Sequence, residues 1–208
     1  MAVLYLDMLW TSGEEERFID ASRTLIAKQD MYGAYLPGII RHIDPQSTPE
    51  LYVAVWKLYT QRTHSMEDYE RLRPYLTQAE RLRFIETLAM HKPFYLDLLN
   101  AEGEYTTLAK FARDEIRYGF HLPEALAYLA PHDPKEAWAI AVEYCEKLMG
   151  DRDRKRKTYQ EMMRIFSALE ASPAIRDDLR RYLTTLYHHQ PKLPALRNEI
   201  KKRFGKMN

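Results

Sequence analysis

The chain has 208 residues, 46% of them hydrophobic and 29% charged, with a formal net charge of +1. That is enough apolar material for one sizeable core or two small ones, and too much for a disordered tail. A single cysteine, Cys145, excludes an intrachain disulfide framework and a cysteine-built zinc cage, and no apolar run reaches the length of a bilayer span.

Glycines are few, alternating strand-type runs are almost absent, and helix formers dominate, so the expected class is all-α. Ala2–Trp10 is strongly apolar and starts without a cap; it also lacks the basic start of a signal peptide, which makes a cytoplasmic protein the expectation. Thr11 or Ser12 is placed to cap a second helix, Gly13–Gln29, with Glu14, Glu15 and Glu16 in its first turn. Asp30–Asp44 reads as a shorter helix interrupted at Gly33 and Pro37, followed by a loop over 44–49. Pro49–Thr63 carries Leu51, Ala54, Val55, Leu58 and Tyr59 inward, with Trp56 on its flank. Met66–Arg73 starts at a Ser65 cap and ends before Pro74; Thr77–Lys92 follows, and Pro93 breaks or restarts the chain into Phe94–Asn100.

Beyond Gly103 the pattern predicts helices over Glu104–Tyr118 and His121–Leu129. The clearest helix of the chain is Asp133–Met149, capped by Asp133, with Pro134 pre-set for the first position and Glu136 where a capping-box acid belongs. Its apolar face carries Ala137, Trp138, Ala141, Tyr144, Cys145 and Leu148. A charged segment over 151–157 leads into Thr158–Ala171. Ser172-Pro173 opens Pro173–His189, and a last helix carries Leu196, Ile200 and Phe204. Leu9-x-x-x-Gly13-Glu14 recurs as Leu99-x-x-x-Gly103-Glu104, and corners near 13, 65, 103 and 151 space helical hairpins by roughly 40–50 residues. The expected architecture is therefore a single helical-repeat domain over 1–208, an α-solenoid of TPR or HEAT type with sub-halves 1–92 and 93–208. The alternative is a compact multi-helix bundle.

The run PEALAYLA at 123–130 leads into DPKEAWAIAVEYCEKLM at 133–149 and then into a basic linker and a helix opening on Tyr159. The chain closes with YHHQPKLPALRNEIKKRF at 187–204. This stretch, Leu98–Phe204, resembles the TPR-like helical C-terminal region of bacterial SWIM zinc-finger proteins. The resemblance implies a protein-binding scaffold, and with the abrupt apolar start and the missing finger it makes the chain either the tail of a longer protein or a stand-alone relative that lacks the finger. The finger itself is a Cys-x-Cys…Cys-x-His cluster, which one cysteine cannot supply, so no zinc function carries over.

The residues offer little chemistry. The seven histidines include no pair four apart on one helix, and there is no His-Glu-x-x-His run, so no metal site is expected. No clustered glycines form a phosphate loop and no nucleophile elbow is present. Neither a cofactor nor an enzymatic activity is expected. Charge, however, is segregated: residues 1–149 hold 16 Lys and Arg against 23 Asp and Glu, a net −7, whereas 150–208 hold 15 against 7, a net +8. Arg152, Arg154, Lys155, Arg156 and Lys157, with Lys201, Lys202 and Arg203, are the candidate contacts for phosphates. Tyr32, Tyr35, Tyr118 and Tyr187 are the tyrosines least explained by helical periodicity and are the candidate groove aromatics. The function expected is a non-enzymatic scaffold for a protein or peptide. Nucleic-acid binding through 151–206 is the alternative.

Overall fold

A computed structural model describes residues 2–28, 33–151 and 154–207. These form thirteen α-helices and one 3-10 turn, with no strand among the described residues. None of the helices is long and apolar enough to cross a membrane. The chain divides into two units, Met1–Tyr95 and Leu96–Asn208.

The first unit contains α1 (Ala2–Thr11), α2 (Glu15–Ala27), α3 (Leu36–Ile40), α4 (Pro49–Thr63), α5 (Met66–Leu72), a 3-10 turn at Arg73–Tyr75, and α6 (Gln78–Thr87). Helix α1 packs on α2 and α3, both α2 and α3 pack on α4, and α4 packs on α5. Leu6, Leu9, Phe18, Leu36, Ile39 and Val55 meet in the core so formed. Several local expectations change here. Thr11 caps nothing ahead of it: its hydroxyl donates back to the Asp7 carbonyl at 2.9 Å, and α2 begins only at Glu15. Of the helix expected over 30–44, residues 30–32 lie outside the described residues and the rest is helical only in α3, with Pro37 in its first turn, where a missing N–H costs nothing. Trp56 is buried rather than flanking, with the Arg71 guanidinium of α5 5.5 Å over its ring. Helix α6 starts as expected after Thr77, through a full capping box with Glu80, but stops at Thr87 instead of Lys92.

Helix α7 (Lys92–Glu102) takes Pro93 into its first turn, so the chain restarts there instead of breaking. The second unit continues with α8 (Tyr105–Glu115), α9 (Leu122–Leu129), α10 (Pro134–Gly150), α11 (Arg156–Leu169), α12 (Arg176–Tyr187) and α13 (Pro194–Phe204). Helix α11 is its centre, packing on α9, α10 and α13. It can do so because Tyr159, Met162, Met163, Ile165, Phe166 and Leu169 give it a buried face wider than a single stripe. Helix α10 is capped as expected, the Asp133 carboxylate accepting from the Glu136 N–H at 3.0 Å. The Glu136 side chain does not return to the cap; it accepts from Arg113 Nε at 2.6 Å. Ser172 does not cap α12 either. Its hydroxyl donates to the Ala130 carbonyl at 3.2 Å, and the helix begins at Arg176.

Two corners of the chain are built alike. At Gly13 (φ +75°) the N–H of Gly13 bonds the Trp10 carbonyl and that of Glu14 bonds Leu9; at Gly103 (φ +72°) Gly103 bonds Asn100 and Glu104 bonds Leu99. Both are Schellman closures, which need a left-handed residue at that position. The likeness extends further than the corner. Tyr5-Leu6-Asp7-x-Leu9 matches Tyr95-Leu96-Asp97-x-Leu99, and Gly33-x-x-Leu36-Pro37 matches Gly119-x-x-Leu122-Pro123. In each case the aspartate of the earlier helix accepts a hydrogen bond from a side chain nine residues after the second glycine, His42 for Asp7 and Tyr128 for Asp97. The corner at 64, which has no glycine, uses His64 in the left-handed region at φ +49°. The one at 151 has an extended Asp151 instead.

Candidate functional site

Two basic stretches far apart in sequence meet in the second unit. Helix α11 opens with Arg156, and α13 lies along α11 because Leu196 and Ile200 bury against it. Glu199 shares that inward face and is only 6% exposed. A carboxylate so desolvated needs a cationic partner, and Arg156 Nε supplies one at 2.7 Å. This pair joins the linker cations to Lys201, Lys202 and Arg203 in the last turn of α13, where positive charge also suits the helix dipole.

Beside this pair, α9, α11 and α13 leave an open groove of about 720 Å³. Small side chains leave room for it: Ala127 on α9 and Ser167 and Ala168 on α11 fill little of the space above the packed helices, and Met163 contributes to the floor. The rims are charged. On one side Arg164 lies 3.0 Å from Glu161 and 3.9 Å from Glu124. On the other, Arg203 Nε donates to the Ser167 hydroxyl at 2.6 Å, and that hydroxyl donates to the Met163 carbonyl at 2.7 Å. Lys202 also lines the groove and forms no ion pair among the described residues. An apolar floor between rims of both signs can take apolar side chains and hold them in register through polar contacts.

The candidate cations therefore fall into groups. Arg156 is committed to Glu199 and Arg203 to Ser167, while the Arg154 guanidinium donates to the Met149 carbonyl at the end of α10. Lys155, Lys157, Lys201 and Lys202 are exposed. Arg152 lies outside the described residues. None of the described candidate tyrosines lines the groove. Tyr35 is 3% exposed and belongs to the core of the first unit, because α3 turns it inward after Gly33. Tyr118 is exposed beside the Arg117 guanidinium, and Tyr187 is half-buried with Arg197 4.7 Å over its ring. Tyr32 lies outside the described residues.

Sequence reading missed Met163, Arg164 and Ser167 as groove residues and Glu199 as a buried charge. A signal for Glu199 existed: it stands three after Leu196 and next to Ile200, on the face those residues bury. No such signal marks Ser167, since its role depends on which helix lies opposite.

Other chemistry-bearing groups are occupied structurally. Cys145 is fully buried, and burial pushes its thiol far above the ordinary range, away from nucleophilic reactivity. Tyr128 is raised to about 12, first by its hydrogen bond to Asp97 and then by burial, so it stays a proton donor to that carboxylate. The Asp7–His42 pair, 2.9 Å apart, is packed between the rings of Trp10 and Phe18. Among the described residues no group of three or more His, Cys, Asp or Glu side chains is placed to hold a metal ion. No protein-family model, curated protein or solved structure matches the chain.

Proposed function

We propose that the protein is a non-enzymatic helical-repeat scaffold that holds a segment of another protein in the groove of its second unit. The observation that carries this reading is the α9–α11–α13 groove, with Ala127, Met163 and Ala168 below and Arg164, Lys202 and Arg203 around it. The segment that suits it presents aliphatic side chains to the floor and a carboxylate to Lys202. The repeat reading is supported by the matched corners at Gly13 and Gly103 and by the matched Gly-x-x-Leu-Pro runs. TPR- or HEAT-like stacking of helical hairpins is the architecture that such matches suit, and scaffolds of that kind bind partners along their concave side.

The test is retention of proteins from native extract on immobilised wild type, Ala168→Trp and Lys202→Glu. Ala168→Trp fills the groove, and Lys202→Glu reverses a lining charge that forms no ion pair among the described residues. The reading expects a protein held by the wild type and lost or weakened at least tenfold with either variant, both variants keeping the wild-type melting curve. Recovery of the same proteins at the same level by all three would overturn it.

A second reading is favoured by the exposed Lys155, Lys157 and Lys201, which make no ion pairs among the described residues. These would contact phosphates, and binding of single- or double-stranded nucleic acid would weaken steeply with salt. A mobility-shift series that shows no complex even at low salt removes it.

A further inference from the structure

Helix α1 is amphipathic in an uneven way. Leu6 and Leu9 are buried, yet Leu4 is 73%, Met8 55% and Tyr5 45% exposed. Large apolar side chains grouped on one helix face mark a contact surface when they are not scattered singly. The matching helix of the same chain shows what such a face does. By the Tyr-Leu-Asp-x-Leu correspondence, Leu4 and Met8 of α1 stand where α7 has Phe94 and Leu98, and those two are 5% and 0% exposed. Phe94 meets the ring of His64, the residue that ends α4, at 5.6 Å. On α7 this face is thus covered, and the cover includes the end of another helix.

A surface able to cover α1 exists at the other end of the chain. Leu179 and Leu183 of α12, Phe204 at the end of α13 and Met207 beyond it line a slot of about 190 Å³. Arg176, Arg180 and Lys206 stand around it with the single acid Glu170, a cationic surplus, and none of the three cations forms an ion pair among the described residues. The approach to α1 has the opposite sign. Glu15 and Glu16 lie exposed in the first turn of α2, which packs directly on α1. Residues 1–149 carry a net −7 and residues 150–208 a net +8, so the same complementarity holds on the larger scale.

We propose that the exposed face of α1 docks into the α12–α13 slot of a second copy of this chain, with Leu4 and Met8 entering the slot and Glu15 and Glu16 facing Arg176 and Arg180. The two surfaces differ, so the contact is heterologous and joins copies head to tail. Each added copy leaves one α1 face and one slot open, and the mass therefore grows with concentration instead of stopping at two.

Sedimentation of the purified chain over a wide concentration range, at low and at high salt, tests this. Three samples are needed: wild type, Leu4→Glu with Met8→Glu, and Arg176→Glu with Arg180→Glu. All four positions are exposed, so helix content should be unchanged. The wild type is expected to grow beyond a dimer at low salt and to shrink at high salt, and each double variant is expected to stay monomeric alone. Each variant keeps one intact surface, so their equimolar mixture should give a complex of two chains and no more. A wild type that is monomeric throughout overturns the proposal. So does a closed dimer unaffected by the Arg176/Arg180 changes, which would mean that α1 pairs with itself.

Discussion

A methyl group added at Gly119 would lie 1.9 Å from Tyr144 Oη, and the backbone there has φ +77°. A side chain at this position meets two obstacles, left-handed strain of about 1–2 kcal/mol and a clash with a buried ring worth about 1–3 kcal/mol. Gly13 has nearly the same φ, +75°, but open space around its Cβ position. Gly119→Ala should therefore lower unfolding free energy by about 2–5 kcal/mol, and Gly13→Ala by about 1–2 kcal/mol, in parallel denaturant titrations. Equal losses would show that the Tyr144 contact yields easily. At His64 the effect is one of charge. Burial, reinforced by repulsion from His91 with ring centroids 3.8 Å apart, lowers the pKa of His64 from 6.5. The unfolded chain then binds the proton more readily than the folded one, so stability is fully present above about 6.5 and falls as pH drops through that value. His64→Asn keeps a residue tolerant of φ +49° and removes the titration. Its urea midpoint should shift less between neutral and mildly acidic pH than that of the wild type.

At the scale of helices, periodicity and capping carried much of the structure. Asp133, Ser65 and Thr77 mark helix starts where their side chains do bond the first turn. The misses share a cause: a polar residue's choice of partner depends on what lies nearby in space. Ser172 has the residue type and the following proline of a cap, yet its hydroxyl finds the Ala130 carbonyl, 42 residues away. Glu136 has the spacing of a capping box, yet Arg113 reaches it first from α8. Trp138 illustrates the same limit for packing. Its position on the α10 stripe predicts full burial, but it is half-buried, edge-on to Tyr182 at 5.7 Å and 6.4 Å from Phe166. A fully buried aromatic costs about 3–5 kcal/mol when cut to alanine, so Trp138→Ala should cost about 2–3 kcal/mol, read from thermal or urea unfolding. The groove was the least legible element feature. Its basic rim stood out in sequence as Lys202 and Arg203, whereas its floor is made of alanines and a methionine that look like ordinary helix residues.

For the whole molecule, the all-helical class followed from composition, since few glycines and no alternating runs leave little material for sheets. The internal likeness was less visible. Only the Leu-x-x-x-Gly-Glu corner stands out in the sequence, while the longer correspondence through Asp7 and Asp97, and through Gly33 and Gly119, gains meaning from their matching backbone and hydrogen bonds. Between those anchor points the helices differ in length and side chains, so the likeness fades where packing does not constrain it. The basic surplus of residues 150–208 has a local counterpart in Lys202, which lines the groove without an ion pair among the described residues and is where the proposed partner would supply a carboxylate. Hydrogen exchange of the chain, alone and with the protein it retains from extract, tests that assignment most directly. Slowed exchange confined mainly to 122–129, 156–169 and 194–204, the segments of α9, α11 and α13, is the predicted result. Protection elsewhere, with those three segments exchanging as in the free chain, would contradict it.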